Sequence, residues 1–215
     1  MAWMEQLQAT NGGQAAACAL GGYVLGCFAT GYYLVRARTG LDIRDFDSGN
    51  IGARNVSRVL GRTGFFLTVL GDFGKGLLAV WAVEHFTGND VLAALALLSV
   101  VLGHIWPAQL RFRGGKGVAT SLGALLAYDY ELVIGYAVVF AGGFAFMRKT
   151  ILPGLFAYVC LPFISYWLDR DGLKVTWLTI LGVLVLFAHR KNILEEFAAF
   201  ATRRAVDPKP EPKKL

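Results

Sequence analysis

The chain is short of charge. Only 17% of its 215 residues are Asp, Glu, Lys or Arg, against about 25% in a water-soluble domain, so much of its surface must face something other than water. It is also short of cysteine. Cys18, Cys27 and Cys160 all fall inside apolar runs, and an odd number so placed excludes a disulfide framework; they read as small core residues. Where the polar motifs are densest there is no carboxylate dyad, no metal-ligand cluster and no Ser-His-Asp spacing, so no metal and no cofactor is expected. The first stretch, MAWMEQLQATNGG, lacks the basic start of a secretory signal and carries Glu5, which predicts a short polar lead over residues 1–13.

What is present is apolar length. Hydrophobic residues make up 55% of the chain and the mean hydropathy is +0.50. The pattern predicts an all-α polytopic membrane protein with seven transmembrane segments. They fall at about 14–35, 65–83, 91–110, 118–128, 132–146, 151–168 and 175–188, within a membrane domain spanning 14–200. The segment 118–128 reaches only about 17 Å at 1.5 Å per residue, too little for a hydrocarbon core of about 30 Å. It is expected to be a half-helix, or to be extended by the glycine loop before it. Gly22, Gly26 and Thr30 form a one-face strip suited to close helix packing. The Pro- and Lys-rich end, 201–215, is expected to be disordered.

Charge placement predicts orientation. All the lysines and arginines except Lys75, Arg170 and Lys174 lie in four segments that share one side if there are seven crossings. The opposite side receives Glu5, Glu84, Asp90, Asp129, Glu131, Asp169 and Asp171. The positive-inside rule then places the N-terminus outside and the C-terminus in the cytoplasm. The net charge of +6 is a matter of topology and does not imply a nucleic-acid partner. Asp72 and Lys75 interrupt the second span, where unpaired charge is costly. Two compatible readings stand open: an internal salt bridge, or the lining of a polar cavity.

Three polar clusters share the basic side: SGNIGARNVSR from Ser48 to Arg58, the stretch from His104 to Gly117 that ends in RFRGGKG, and HRKN from His189 to Asn192. They supply many donors and few bases, which suits an anion with many oxygens. Glycines beside a lysine and a helix start can form a phosphate nest, although a basic interfacial turn has the same composition. His189 and Asn192 fall on one helical face. Any reaction here must lean on charge neutralisation and positioning.

With SGNIGARNVSRVLG, DFGKG, GHIWPAQLRFRGGKGVAT and HRKNI in this order, the chain resembles the bacterial acyl-phosphate:glycerol-3-phosphate acyltransferases, the PlsY family, over about 18–197. The resemblance implies a seven-helix enzyme of the bacterial plasma (inner) membrane with a cytoplasmic active site. It implies transfer of a fatty acyl group from acyl phosphate to the sn-1 hydroxyl of glycerol 3-phosphate, giving lysophosphatidic acid and phosphate. By the same resemblance Ser48, Arg58, Lys116, His189 and Asn192 are the catalytic candidates. For substrate and phosphate binding the candidates are Gly49, Asn50, Gly52, Asn55, His104, Gly114, Gly115 and Gly117. Lys116 with the backbone of Gly114, Gly115 and Gly117 is expected to hold one phosphate, and Arg58 with Asn50 and Asn55 the other. Ser48 and His189 are expected to orient the hydroxyl and the reacting carbonyl. The expected partners are acyl phosphate and glycerol 3-phosphate as substrates and the lipid bilayer. The enzyme that produces acyl phosphate is a further candidate at the cytoplasmic face.

Two departures from the family pattern matter. Arg54 stands where the family usually has Thr, and it either tightens phosphate binding or faces lipid headgroups, the latter being preferred. The third motif continues EEFAAFATRRA in place of the usual Gly and Glu. His85 and Asp90 reproduce a spacing used by acyl-CoA-dependent acyltransferases, but they lie in the acidic outer link and are read as a chance match. The rival function is a transporter of an organic phosphate or anion. Against it stand the one-sided clusters and the lack of an inverted repeat. A structural membrane scaffold leaves the polar clusters unexplained.

Overall fold

The computed structural model describes residues 2–206, which form ten α-helices and no strand among them. They are α1 (Ala2–Ala9), α2 (Gly12–Cys27), α3 (Thr30–Thr39), α4 (Ala53–Thr87), α5 (Asp90–Ile105), α6 (Val118–Tyr128), α7 (Tyr130–Met147), α8 (Ile151–Asp169), α9 (Gly172–Ala188) and α10 (Arg190–Val206). Of the tail expected to be disordered over 201–215, residues 201–206 form the end of α10 instead, and 207–215 lie outside the described residues.

Five helices are long and apolar enough to cross a membrane: Gly12–Thr39 (α2 and α3 together), α4, Asp90–Leu110, α7 and α8. A sixth arises if α9 and the start of α10, bent by 61°, count as one span. The segment expected to be short is α6, with the predicted bounds. Large apolar side chains cover the outside: Phe146 is 91% and Trp167 85% exposed. Only 11% of the apolar window of α7 is buried inside the protein. Such a surface needs lipid around it.

The most extensive contacts join α4 to α6 and α2 to α5, followed by α7 to α8 and α8 to α9. The small-residue strip packs as its composition predicts. Gly22 abuts Ala96 and Ser99 of α5, Gly26 abuts Val100, and Thr30 meets Gly71 of α4.

Two irregularities shape the site. The first span breaks at Phe28 and Ala29, between α2 and α3. The polar stretch between the first two predicted spans is in large part helical, because α4 begins at Ala53, inside the first motif, and kinks at Gly61 (φ 65°, ψ −159°) before entering its apolar span.

The break leaves backbone carbonyls of α2 without helical partners in apolar surroundings, a costly state. Lys75 of α4 answers it. Its ammonium donates to Gly26 O at 2.9 Å, to Phe28 O at 2.6 Å and to His104 Nδ1 of α5 at 2.9 Å. An ammonium has three hydrogens, so these acceptors use them all. Asp72 Oδ1 stands 3.1 Å from the same nitrogen as counter-charge, without a hydrogen bond to it. Asp72, Lys75 and His104 are each no more than 5% exposed. Both open readings of Asp72 hold: it pairs with Lys75 and it lines the cavity described next.

Candidate active site

All three polar clusters open on one cavity of about 1070 Å³ between α4, α5, α6, α8 and the α9–α10 corner. The first-motif loop is held there by its own side chains. Arg44, clamped by Asp42, donates to the Leu110 carbonyl at 2.9 Å, tying this loop to the glycine loop. Asn55, 2% exposed, sends its amide to the carbonyls of Ile43, Phe46 and Asn50 at 3.1, 3.0 and 2.9 Å. Asn50 Oδ1 in turn accepts from Gly52 N at 2.8 Å. Asn50 and Asn55 therefore clasp the loop, although both line the cavity. Gly49, a binding candidate, closes a turn with its N–H on Phe46 O and does not line the cavity.

The glycine loop divides its labour. Gly114 N donates to Ile105 O at 3.1 Å and Gly115 N to His104 O at 3.0 Å, so these two amides are spent inside the protein and cannot serve as a phosphate nest. Their glycine identity has another cause: a Cβ on Gly115 would overlap His104 Nε2, and one on Gly114 would overlap the His104 carbonyl. Because His104 Nδ1 accepts from Lys75, its hydrogen belongs on Nε2. His104 thus sits between the buried lysine and the loop and also lines the cavity. Gly117 differs. It lines the cavity, takes φ 83°, a value open to glycine at little cost, and starts α6 without a side-chain cap.

The predicted catalytic residues do converge. Ser48, Arg58, Lys116, His189 and Asn192 all line the cavity. Lys116 donates to Asn192 Oδ1, which joins the second motif to the third. Burial pulls the Lys116 amine below the ordinary lysine value; Glu195 opposes this and Arg54 adds to it. His189 Nδ1 lies 2.8 Å from the Val185 carbonyl. A carbonyl only accepts, so Nδ1 carries the hydrogen and Nε2 is left as a free acceptor. Burial lowers the His189 pKa, the bond to Val185 opposes this, and nearby Lys116 lowers it further. The ring is neutral at pH 7. Arg58 is paired with Asp47 on the exposed rim.

Among the lining residues that sequence reading did not single out are Asp47 opposite Arg58, Glu195 near Lys116, and Ile151 at the start of α8. Glu195 had a findable signal, since it lies three residues beyond Asn192 on the same helical face. Arg54 also lines the cavity, and its guanidinium donates to Thr150 Oγ1 at 3.0 Å. Phe65, Val69, Phe73, Val118, Leu122 and Ile151 supply an apolar wall. His85, by contrast, stacks on Trp81 away from the cavity, and Asp90 accepts from Gln6 at 3.3 Å.

The starts of α4 and α6 both face this space without any side-chain cap. Their first N–H groups carry the positive end of a helix dipole. A cavity with two such helix starts, several cations, a neutral imidazole acceptor and an apolar wall is suited to hold phosphates beside an aliphatic chain and to move an acyl group between oxygens.

The comparisons agree. A family model described as glycerol-3-phosphate acyltransferase matches residues 16–199. The glycerol-3-phosphate acyltransferase 1 of Desulfitobacterium hafniense is 43% identical over 185 residues, 86% of this chain and 92% of that protein. The glycerol-3-phosphate acyltransferase of Geotalea daltonii is 38% identical, over 81% of this chain and 89% of its own. Among solved structures, PlsY (YgiH), an integral membrane glycerol 3-phosphate acyltransferase, superposes in its glycerol 3-phosphate form with a TM-score of 0.79 at 29% identity. That match covers 86% of this chain and 92% of the other. The lysophosphatidic acid form gives a TM-score of 0.76 at 28% identity.

Proposed function

The chain belongs to the glycerol-3-phosphate acyltransferase family, and we propose that it takes the fatty acyl group from acyl phosphate and delivers it to the sn-1 hydroxyl of glycerol 3-phosphate. The products are lysophosphatidic acid and inorganic phosphate. The observation that carries this reading is the single cavity in which Ser48, Arg58, Lys116, His189 and Asn192 meet beside two uncapped helix starts and an apolar wall.

Lys116 and the first amides of α6 hold one phosphate, and the start of α4 with Arg58 holds the other. Arg58 exchanges Asp47 for the substrate. His189 Nε2 accepts a hydrogen bond from the neighbouring sn-2 hydroxyl of glycerol 3-phosphate and, with Ser48, aims the sn-1 oxygen at the acyl carbon, leaving the sn-1 proton free for a phosphate oxygen. The new C–O ester bond forms as the C–O bond to phosphate breaks. The hydroxyl proton leaves on a phosphate oxygen, so no charged intermediate has to be stored on the protein. An acyl phosphate is already an activated mixed anhydride, and charge stabilisation and positioning supply the remaining acceleration.

The same reading includes seven crossings, with α6 as the short one, the N-terminus outside and the C-terminus in the cytoplasm. It places the protein in the bacterial plasma (inner) membrane with its active site on the cytoplasmic side. Residues 1–13 form a lead, 14–200 the membrane domain and 201–215 a basic tail. The basic face beside the cavity is where an enzyme that produces acyl phosphate would dock. Support comes from the charge separation along the chain. The decisive assay gives purified protein in lipid both substrates and follows phosphate release. Release that requires glycerol 3-phosphate and matches lysophosphatidic acid formed is expected. Uptake of glycerol 3-phosphate into sealed vesicles without acyl transfer would support the transporter instead.

A further inference from the structure

We infer that Arg54 is a phosphate-binding residue of this site, acting with Lys116 on a phosphate group that lies between them. The inference rests on the acyl-transfer reading for its substrates, but the position of Arg54 is independent of it. Arg54 lies in the first, uncapped turn of α4 and lines the same cavity as Lys116. Its guanidinium is exposed but tethered. One nitrogen donates to Thr150 Oγ1 at the start of α8, 3.0 Å away, which holds the group across the cavity rim. A guanidinium has five N–H donors, so most of them stay available.

Among the cations that line the cavity, charge balance sets Arg54 and Lys116 apart. At this end of the molecule Arg44 is paired with Asp42, Arg58 with Asp47 and Lys149 with Glu196. Among the described residues, Arg54 and Lys116 line the cavity without a carboxylate at salt-bridge distance. They face one space with like charge, and after burial Arg54 adds to the lowering of the Lys116 pKa. Two like charges facing one space, Lys116 half-buried and Arg54 exposed, cost free energy when that space is empty, and an anion between them recovers it. The other charged or titratable groups lining this space are Asp47, Arg58, Asp72, His104, His189 and Glu195. A residue that served only lipid headgroups would have no reason to be tethered to Thr150 over the cavity.

The bound phosphate belongs to glycerol 3-phosphate or to the acyl phosphate, and a lipid headgroup offers the same chemistry, so the experiment separates these sources. Arg54 is exposed, so Arg54→Ala and Arg54→Lys are expected to fold. Dissociation constants for glycerol 3-phosphate and for an acyl phosphate are measured in neutral micelles, together with the pH profile of turnover. In Arg54→Ala one of the two constants is expected to weaken about tenfold or more, the effect of losing a charge-assisted hydrogen bond. Arg54→Lys is expected to recover part of it. The alkaline limb of the profile should move to higher pH in Arg54→Ala, because Lys116 loses a like-charged neighbour. Unchanged constants for both ligands would overturn the inference. So would a defect seen only as lost stimulation by phosphatidylglycerol in nanodiscs, which would assign Arg54 to headgroups. Because binding is read directly, absence of turnover in the wild-type protein would count against the acyl-transfer reading alone.

Discussion

The two ends of the helix bundle are built by opposite rules. At one end α2, α5, α7 and α9 begin, and each start is closed by its own side chain: Asn11, Asn89, Asp129 and Asp171 accept from the first amides. There too Lys174 bridges Asp129 and Asp169. At the other end α4, α6 and α8 begin after Gly52, Gly117 and Thr150 with no side-chain cap. A cap contributes about 1 kcal/mol, so leaving three helix starts open is a local sacrifice of stability. It makes sense where an anion arrives to do the capping, and this is the end where the cations and the cavity lie. On the proposed function, the site sits where the ordinary rules of helix construction are set aside.

Substitutions should therefore separate into those that cost stability and those that cost catalysis. The largest effect is expected inside the bundle, between the two ends. Lys75→Met leaves Asp72 and the Gly26 and Phe28 carbonyls unpaired in apolar surroundings, and should cost about 3–5 kcal/mol. The check is thermal unfolding in detergent; a variant as stable as the wild type would show that the broken first span needs no such partner. Next comes Lys116→Ala at the open end. It should lower kcat/KM about 100-fold or more, as loss of a charge-stabilising donor does, with little change in Tm. The pH profile adds a sign. The Lys116 amine is held below the usual lysine value by burial, so wild-type activity should decline on the alkaline side at lower pH than an ordinary lysine would give, as the charged form is lost. At the closed end, Asn89→Ala should cost about 1 kcal/mol in stability and leave kcat unchanged. His85→Ala should change neither. Complete loss of activity in His85→Ala would overturn both the position of the site and its assignment to the open end.

Much of this was legible in the chain itself. The segment 118–128 is bounded as read, since its apolar run is framed by Gly117 and Asp129. The five catalytic candidates meet because each lies beside an element end on the basic side. What escaped were features set by backbone hydrogen bonds made in three dimensions. No proline marks the break at Phe28 and Ala29, and only the unusual Lys75 hints that carbonyls need a donor there. The run of glycines beside Lys116 looks like a phosphate nest. Yet Gly114 and Gly115 are small to admit His104, and their amides are spent on Ile105 and His104. Asn50 and Asn55 have the chemistry of ligands but fasten their own loop. The direction in which a polar group spends its hydrogen bonds is a tertiary property, and composition does not record it.

The central claim is that the open helix starts are reserved for substrate phosphate, and one substitution tests it directly. Gly52, which precedes α4, has φ −75° and ψ 163°, a conformation that a capping serine adopts readily. A Cβ there would stand 3.1 Å from Asn50 Oδ1, a tight contact that a small shift of that side chain relieves. Gly52→Ser supplies the missing cap without adding charge. The measurement is kcat/KM for glycerol 3-phosphate together with the melting temperature of the same preparation. A fall in kcat/KM of about tenfold, the worth of one charge-assisted hydrogen bond, with an unchanged or slightly raised Tm is the expected result. Full activity in a Gly52→Ser protein whose introduced hydroxyl demonstrably caps α4 would contradict it.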